Sequence, residues 1–225
     1  MVKESDVTWF KREFGAKIAA AVKGTPLTLD HIAAIALQET GYIWARLQRN
    51  GLSTARVLEL CVGDTIDKNR KAFPKNKAAL LAEKDGDKMF AIARQGLVEM
   101  AEHFADTPLG EVAKNPDKFC HGFGIFQYDL QFFLENPKYF LERQYANFDI
   151  ALARCMGELK RGLQTVGVAN KPSLTDEEAA HVAIAYNTGG FNPAKGLKQG
   201  HESDGKFYGE SYLEWLKLAH KAPAQ

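Results

Sequence analysis

The chain has 225 residues, and its 29 basic and 28 acidic side chains leave a formal net charge of only +1. This length supports a sizeable buried core without disulfide bonds, and the balanced charge excludes a general electrostatic attraction to nucleic acid or to an anionic membrane. No apolar run is long enough to span a bilayer, so we expect no stable membrane insertion.

Helical periodicity dominates the first half of the chain. The spacing of apolar residues predicts a helix over about Ser5 to Val22. Thr28 is the expected N-cap of a second helix, which we expect to end near Gly41. The pattern then predicts short helices between Leu52 and Leu81, broken by a glycine and a proline, and a further helix over about Asp87 to Ala105.

The second half opens with a segment of different composition. From Asn115 to Leu130 glycines and aromatic residues predict a loop or a small hairpin, and a long helix is expected from Pro137 to Leu163. Thr175 is expected to form a capping box with Glu178 at the start of the helix Asp176 to Tyr186.

The C-terminal region repeats the capping pattern, with Ser211 and Glu214 expected before a final helix through Leu218. We expect a flexible surface loop from His201 to Phe207. The predicted fold class is therefore mainly α, with little strand, in a single domain over residues 1–225.

The cysteines and the N-terminal segment give information on the cellular compartment in which the protein is made. Cys61, Cys120 and Cys155 are an odd number without C-x-x-C or metal-ligand spacing, so we interpret them as free buried thiols made in a reducing compartment. The polar segment Met1 to Asp6 lacks the apolar stretch of a signal peptide. Three alternatives stay open: a cytoplasmic protein, export by a route that reads no N-terminal signal, or prior removal of a segment.

Glu39 is the first candidate for chemistry. Every residue from Ile32 to Leu37 is Ile, Ala or Leu, and helical spacing from Ile32 through Ile35 places Glu39 on the same apolar face. An inward carboxyl group loses water, which raises its pKa and keeps it protonated near neutral pH. The alternative is a structural carboxylate that pairs with a buried cation or caps a neighbouring helix.

Two further segments combine glycine with aromatic and amide side chains. In His121 to Asp129 glycines allow close backbone approach to a ligand, and Gln127 and Asp129 add polar groups. In Ala183 to Gly190 an apolar helix ends in Tyr186 and Asn187 before two glycines. The structural alternatives are an ordinary turn packed on the core for the first segment and a C-cap with a core tyrosine for the second.

In order and in kind, the three segments resemble the lysozyme-like glycosidases, namely the soluble lytic transglycosylases and the goose-type lysozymes. The matching elements are Glu39-Thr40, Gly124-Ile125-Phe126-Gln127 and Ala185-Tyr186-Asn187-Thr188-Gly189, with Tyr212 as a less specific match to a late tyrosine. The resemblance covers about half of the chain and implies a lysozyme-like helical domain with a small irregular or hairpin segment. It also implies that Glu39 is the catalytic acid and that Gly124, Gln127, Tyr186 and Asn187 bind the sugar.

The segment from Gly122 to Asp129 is more similar to the goose-type branch, where an aspartate follows the glutamine by two positions. A second aspartate lies upstream in that branch, and Asp117 is the nearest candidate here. If both correspond, they hold a water opposite Glu39 and the bond is hydrolysed with inversion. In that case Asp129→Asn is expected to remove hydrolysis and to leave folding nearly intact. Without such a water, the resemblance implies a 1,6-anhydro product.

The chain departs from the family in the interval before Gly124. A long insertion at about 50–120, expected to be helical, has no counterpart, and it could cap a cleft, extend the sugar subsites or bind a partner. Asp64 and Asp67 within it are candidates for a further cleft carboxylate, or for a solvated loop with a helix cap.

The resulting functional hypothesis is cleavage of β-1,4 bonds between N-acetylmuramic acid and N-acetylglucosamine in peptidoglycan, at the cell wall, without a metal or organic cofactor. One alternative is cleavage of a related amino-sugar polymer such as chitin, and another is a non-catalytic glycan-binding domain of the same fold. An immunity or delivery protein as a partner is possible on this hypothesis but is not indicated by the sequence.

Overall fold

The computed structural model describes residues 1–63, 70–203 and 205–224, and over these ranges the chain is mainly helical. Its contacts divide the chain into two units, the first formed by Met1–Gly41 with Leu152–Gln225 and the second by Tyr42–Ala151. The insertion expected at about 50–120 lies within the second unit.

Ten α-helices are present in the described ranges. In chain order they are α1 (Glu4–Val22), α2 (Leu29–Arg49), α3 (Thr54–Leu60), α4 (Lys77–Leu81), α5 (Gly86–Glu102), α6 (Pro108–Val112), α7 (Pro137–Leu141), α8 (Phe148–Val166), α9 (Asp176–Thr188) and α10 (Tyr208–Lys221). The short strands described are β1 (Val62–Gly63), β2 (Gly122–Phe123), β3 (Tyr128–Asp129), β4 (Glu202–Ser203) and β5 (Lys206–Phe207). The predictions for α1, α5 and α9 and for the short helices between 52 and 81 are confirmed.

Helix α2 is longer than predicted, because it continues through Gly41 to Arg49. A glycine inside a helix costs only about 1 kcal/mol. The next turns bury Ile43, Trp44 and Leu47, which are at most 1% exposed, and this burial outweighs that cost. Glu39 therefore lies in the interior of a helix and not at its end.

The prediction of one helix from Pro137 to Leu163 was wrong, because two separate helices, α7 and α8, occupy this segment. Arg143 has a left-handed backbone with φ of 51°, which interrupts the helical ladder. The Asn147 side chain then accepts a hydrogen bond from the backbone N–H of Asp149 at 3.0 Å and so begins α8.

The start of the last helix also differs from the prediction. Helix α10 begins at Tyr208, and the Glu210 carboxylate accepts a hydrogen bond from the backbone N–H of Phe207 at 3.0 Å. Glu214, predicted to form the capping box, instead pairs with Lys206 at 2.5 Å. Strands β4 and β5 form an antiparallel hairpin in the segment that was predicted to be a flexible loop.

The C-terminal end of α10 is tied to α1 by a buried lysine. Lys11 is 4% exposed, and its ammonium group donates hydrogen bonds to the carbonyl oxygens of Ala219 and Ala222, both at 2.7 Å. The same group pairs with Asp30 of α2 at 2.6 Å. These contacts satisfy a buried charge and the last carbonyls of the helix together, and they fix α10 within the first unit.

The second unit contains a three-stranded antiparallel sheet in the order β1-β2-β3. Val62 pairs with Phe123, and Gly122 pairs with Asp129. The turn between β2 and β3 confirms the hairpin predicted for the glycine- and aromatic-rich segment. The three cysteines are buried thiols outside any disulfide bond, as predicted. Within the described ranges, no helix combines the length and the apolar character that a membrane span requires.

The N-terminus of α2 predicts a measurable pH effect. His31 is 3% exposed, and its Nδ1 accepts a hydrogen bond from the Thr28 backbone N–H at 3.1 Å, while the Thr28 hydroxyl accepts one from the His31 backbone at 3.4 Å. Burial, followed by the nearby charge of His220, lowers the pKa of His31 from 6.5 to about 4. The folded protein therefore resists protonation of this ring.

Because the unfolded chain binds this proton first, the contribution of His31 to the free energy of unfolding should fall by about 3 kcal/mol as the pH drops from 6.5 to below 4. His31→Gln keeps the capping pattern and removes the titration. Chemical denaturation at pH 7.0 and 4.5 should show a smaller loss of stability in the variant than in the wild type. An equal loss in both proteins would contradict this role of His31.

Candidate active site

The carboxyl group of Glu39 is half-buried and contacts a tyrosine far away in the sequence. The phenol of Tyr208 donates a hydrogen bond to Glu39 Oε1 at 2.6 Å. Burial, together with the charge of Glu39, raises the pKa of Tyr208 well above its ordinary value of 10. The phenol therefore keeps its proton, and Glu39 is the acceptor in this bond.

Tyr186 and Cys155 extend the cluster around Glu39. The Cys155 thiol is hydrogen-bonded to Tyr186, and burial raises the pKa of this thiol far above its usual range. Tyr186 and Glu39 are both close enough to Tyr208 to act on it electrostatically. The first unit thus brings Glu39 together with two phenols and a neutral thiol.

Asn187, predicted to bind the sugar, is exposed at the end of α9. Its Oδ1 accepts a hydrogen bond from the backbone N–H of His201 at 3.3 Å. This contact holds the segment that leads into α10. Helix α9 ends at Thr188 and is capped by Gly189, whose φ of 76° fits the C-cap that was the structural alternative for this segment.

Tyr208 was not among the residues predicted from the sequence. Tyr212 was matched to the late tyrosine of the family, but its phenol donates to the backbone oxygen of His31 at 3.2 Å. Positions 208 and 212 are four residues apart and share one face of α10. This spacing is the sequence signal that links Tyr208 to Tyr212.

The close packing at Gly200 gives a test of this arrangement. Gly200 has φ of +85°, and a Cβ atom there would lie 2.5 Å from the Tyr208 Cβ and 2.9 Å from Asn187 Oδ1. We expect Gly200→Ala to lower the unfolding free energy by about 2 kcal/mol or more, because left-handed backbone and steric overlap both oppose the methyl group. Gly190→Ala is the matched control, because its Cβ would meet nothing within 4 Å. Equal thermal stability of the two variants would contradict the packing described.

Gly124 and Gln127 lie in the β2–β3 turn of the second unit. The Gln127 side-chain amide donates to the Gly124 carbonyl oxygen at 2.9 Å. Both residues have positive φ, which is 49° at Gln127 and 83° at Gly124. A Cβ atom at Gly124 would lie 3.1 Å from the backbone oxygen of Tyr145. These contacts determine the shape of the turn. Sugar binding by Gly124 and Gln127 stays a prediction.

Asp129 is held by two partners within the second unit. Its Oδ1 accepts a hydrogen bond from the Gln131 backbone N–H at 2.6 Å and forms an ion pair with Arg70, a side chain that is 6% exposed. The carboxylate thus caps the short 3₁₀ helix Leu130–Phe132 and neutralises a buried cation. Both interactions give Asp129 a structural role.

The other aspartates predicted as candidate site residues are Asp117, Asp64 and Asp67. The Asp117 side chain is 71% exposed and pairs with Lys77 at 2.9 Å. Asp64 and Asp67 lie outside the described residues. Within the described ranges, no group of three or more His, Cys, Asp or Glu side chains is arranged to hold a metal ion.

The predicted site residues divide between the units: Glu39, Tyr186 and Asn187 belong to the first, and Gly124, Gln127, Asp117 and Asp129 to the second. In comparisons with protein-family models, curated proteins and solved structures, none gives a significant match to the chain.

Proposed function

We propose that the protein is a glycosidase with a lysozyme-like fold that cleaves β-1,4 bonds of peptidoglycan at the cell wall, with Glu39 as the general acid. The observation that carries the proposal is the hydrogen bond of the half-buried Glu39 carboxyl group to the buried phenol of Tyr208. The order of the Glu39, Gly124-Gln127 and Tyr186-Asn187 segments supports the choice of substrate.

The chemistry begins with proton donation by Glu39 to the glycosidic oxygen as the bond from that oxygen to the anomeric carbon breaks. The helix before Glu39 is buried from Ile32 to Leu37, so its carboxyl group lies beside an apolar region. The phenols of Tyr186 and Tyr208 add neutral polar groups to the cluster around Glu39. This combination suits a group that must give up a proton and take one back.

The contacts of Asp129 favour the transglycosylase branch of the proposal. A carboxylate that caps a helix and neutralises Arg70 is poorly placed to activate a water as well. In the alternative reaction, the C6 hydroxyl of the muramic acid unit attacks the anomeric carbon and returns its proton to Glu39. The product is a 1,6-anhydro sugar, and no water is consumed.

The test is incubation of the purified protein with isolated peptidoglycan sacculi, followed by mass spectrometry of the soluble products. Anhydro-muropeptides would support transglycosylation, whereas reducing ends heavier by one water would indicate hydrolysis. Chitin oligomers are tested in parallel, and their cleavage in the absence of any release from sacculi would contradict the proposed substrate. Binding to sacculi without any new ends would indicate a glycan-binding domain.

A further inference from the structure

We infer that Tyr208 is a positioning residue for Glu39, holding the carboxyl group in one orientation and setting how readily it gives up its proton. The inference rests on the proposed role of Glu39 as the acid. Tyr208 is the first residue of α10, it is 4% exposed, and its phenol lies 2.6 Å from Glu39 Oε1. The contact joins two residues that are 169 positions apart in the chain.

The backbone at Tyr208 is fixed by two glycines that allow close approach. A Cβ atom at Gly209 would lie 2.6 Å from Ile184 Cδ1 and 2.6 Å from the Leu197 carbonyl oxygen. The first turn of α10 therefore lies directly against α9 and the preceding loop. The Gly209 backbone N–H also donates to the Gln199 carbonyl oxygen at 3.3 Å.

Gly200 and Asn187 complete this support. The missing side chain of Gly200 leaves the space that the Tyr208 Cβ and Asn187 Oδ1 occupy, and Asn187 Oδ1 accepts from the next backbone N–H, that of His201. The Tyr-Asn segment of α9 thus positions the start of α10. Since a tyrosine has only two side-chain torsions, a fixed backbone and a buried ring place the phenol accurately.

The phenol affects the charged and neutral forms of Glu39 differently. A hydrogen-bond donor stabilises a carboxylate more than a neutral carboxylic acid. Burial of the helix acts in the opposite direction, because it disfavours the charged form. Tyr208 therefore limits the effect of burial and allows Glu39 to release its proton during the reaction and to recover it afterwards.

The experiment compares Tyr208→Phe with Tyr212→Phe in the full chain. Both phenols are buried and donate one hydrogen bond, but only Tyr208 contacts Glu39, whereas Tyr212 contacts the His31 carbonyl oxygen. The Glu39 carboxyl carbon is followed by ¹³C NMR as a function of pH, with its signal assigned by its loss in Glu39→Gln. We expect the titration midpoint of Glu39 to rise in Tyr208→Phe and to remain at the wild-type value in Tyr212→Phe.

The pH dependence of glycan cleavage should shift in the same direction as the Glu39 titration midpoint. In Tyr208→Phe the alkaline limb of kcat against pH should move to higher pH, and kcat below that limb should fall about tenfold or more with little change in KM, because the acid is less well oriented. A general loss of structure would lower the active fraction without moving the limb. If Tyr208→Phe does not fold, difluorotyrosine at position 208 retains the ring and is a stronger donor, so it should lower the Glu39 midpoint.

An unchanged Glu39 midpoint in the folded Tyr208 variant would overturn the inference, and so would an equal change in Tyr212→Phe. The NMR titration needs no turnover, so the two proposals can fail separately. A wild-type protein that cleaves no glycan, but in which the Glu39 midpoint depends on Tyr208 as stated, contradicts the proposed function and supports the contact.

Discussion

Glu39→Gln should reduce glycan cleavage by about a thousandfold or more, because loss of a general acid costs about 10²- to 10⁴-fold and the return of the proton is lost as well. The amide has nearly the same shape as the carboxyl group, and its oxygen still accepts the hydrogen bond from Tyr208. We therefore expect a folded protein with a melting temperature close to that of the wild type. The measurement is the initial rate of muropeptide release, with thermal unfolding of the same samples.

Glu214→Gln is the matched control for this variant. Glu214 also lies in the first unit, its side chain is 59% exposed, and it pairs with Lys206, which is 50% exposed. An exposed pair of this kind contributes little to stability, so both the rate and the melting temperature should stay close to the wild type. Equal rates for Glu39→Gln and the wild type would show that another group donates the proton.

Asp129→Asn should destabilise the protein by about 2–3 kcal/mol and lower the melting temperature by about 5–10 °C, because it removes the charge of the carboxylate that pairs with the buried Arg70 side chain. The Asn side chain can still cap Gln131, so the ion pair accounts for most of the effect. Below the melting transition, glycan cleavage should continue. This revises the expectation from sequence, which was loss of hydrolysis with folding nearly intact.

Asp117→Asn provides the comparison, because it makes the same chemical change in a pair that is exposed. Asp117 is 71% exposed beside Lys77, and such pairs contribute about 0–1 kcal/mol. Differential scanning calorimetry and rates measured on both variants separate the two effects. Loss of cleavage in Asp129→Asn with an unchanged melting temperature would favour the hydrolytic alternative and contradict the structural role.

The parts of the fold that the sequence predicted are those governed by local rules. Periodicity identified α1, α5 and α9, and the Thr175-Glu178 pair gave the capping box, with the Glu178 backbone N–H donating to the Thr175 hydroxyl at 3.2 Å. These features depend on residues within a few positions of each other. They are therefore visible without knowledge of tertiary contacts.

The errors came from contacts that are distant in sequence or from residues with unusual backbone. Gly41 suggested a helix end, but burial of the side chains that follow it stabilises the continuation of α2 to Arg49. Arg143 carries no sign of the left-handed conformation that separates α7 from α8. Local patterns cannot reveal either effect, because tertiary packing decides both.

Of the two residues in the central contact of the candidate site, only one could be predicted from the sequence. The apolar face of α2 identified Glu39, but its partner Tyr208 lies 169 residues away, and no local pattern links the two. For Asp129 the motif gave the residue but not its ion pair with Arg70, which lies 59 positions earlier. Long-range partners of polar groups therefore distinguish a catalytic interpretation from a structural one.

The most direct measurement of the central claim is the mass spectrum of the material that equal amounts of wild type, Glu39→Gln and Glu214→Gln release from sacculi. We expect muropeptides with new glycan ends from the wild type and from Glu214→Gln, and none above background from Glu39→Gln. The same release by all three proteins, or no release by the wild type, would contradict it.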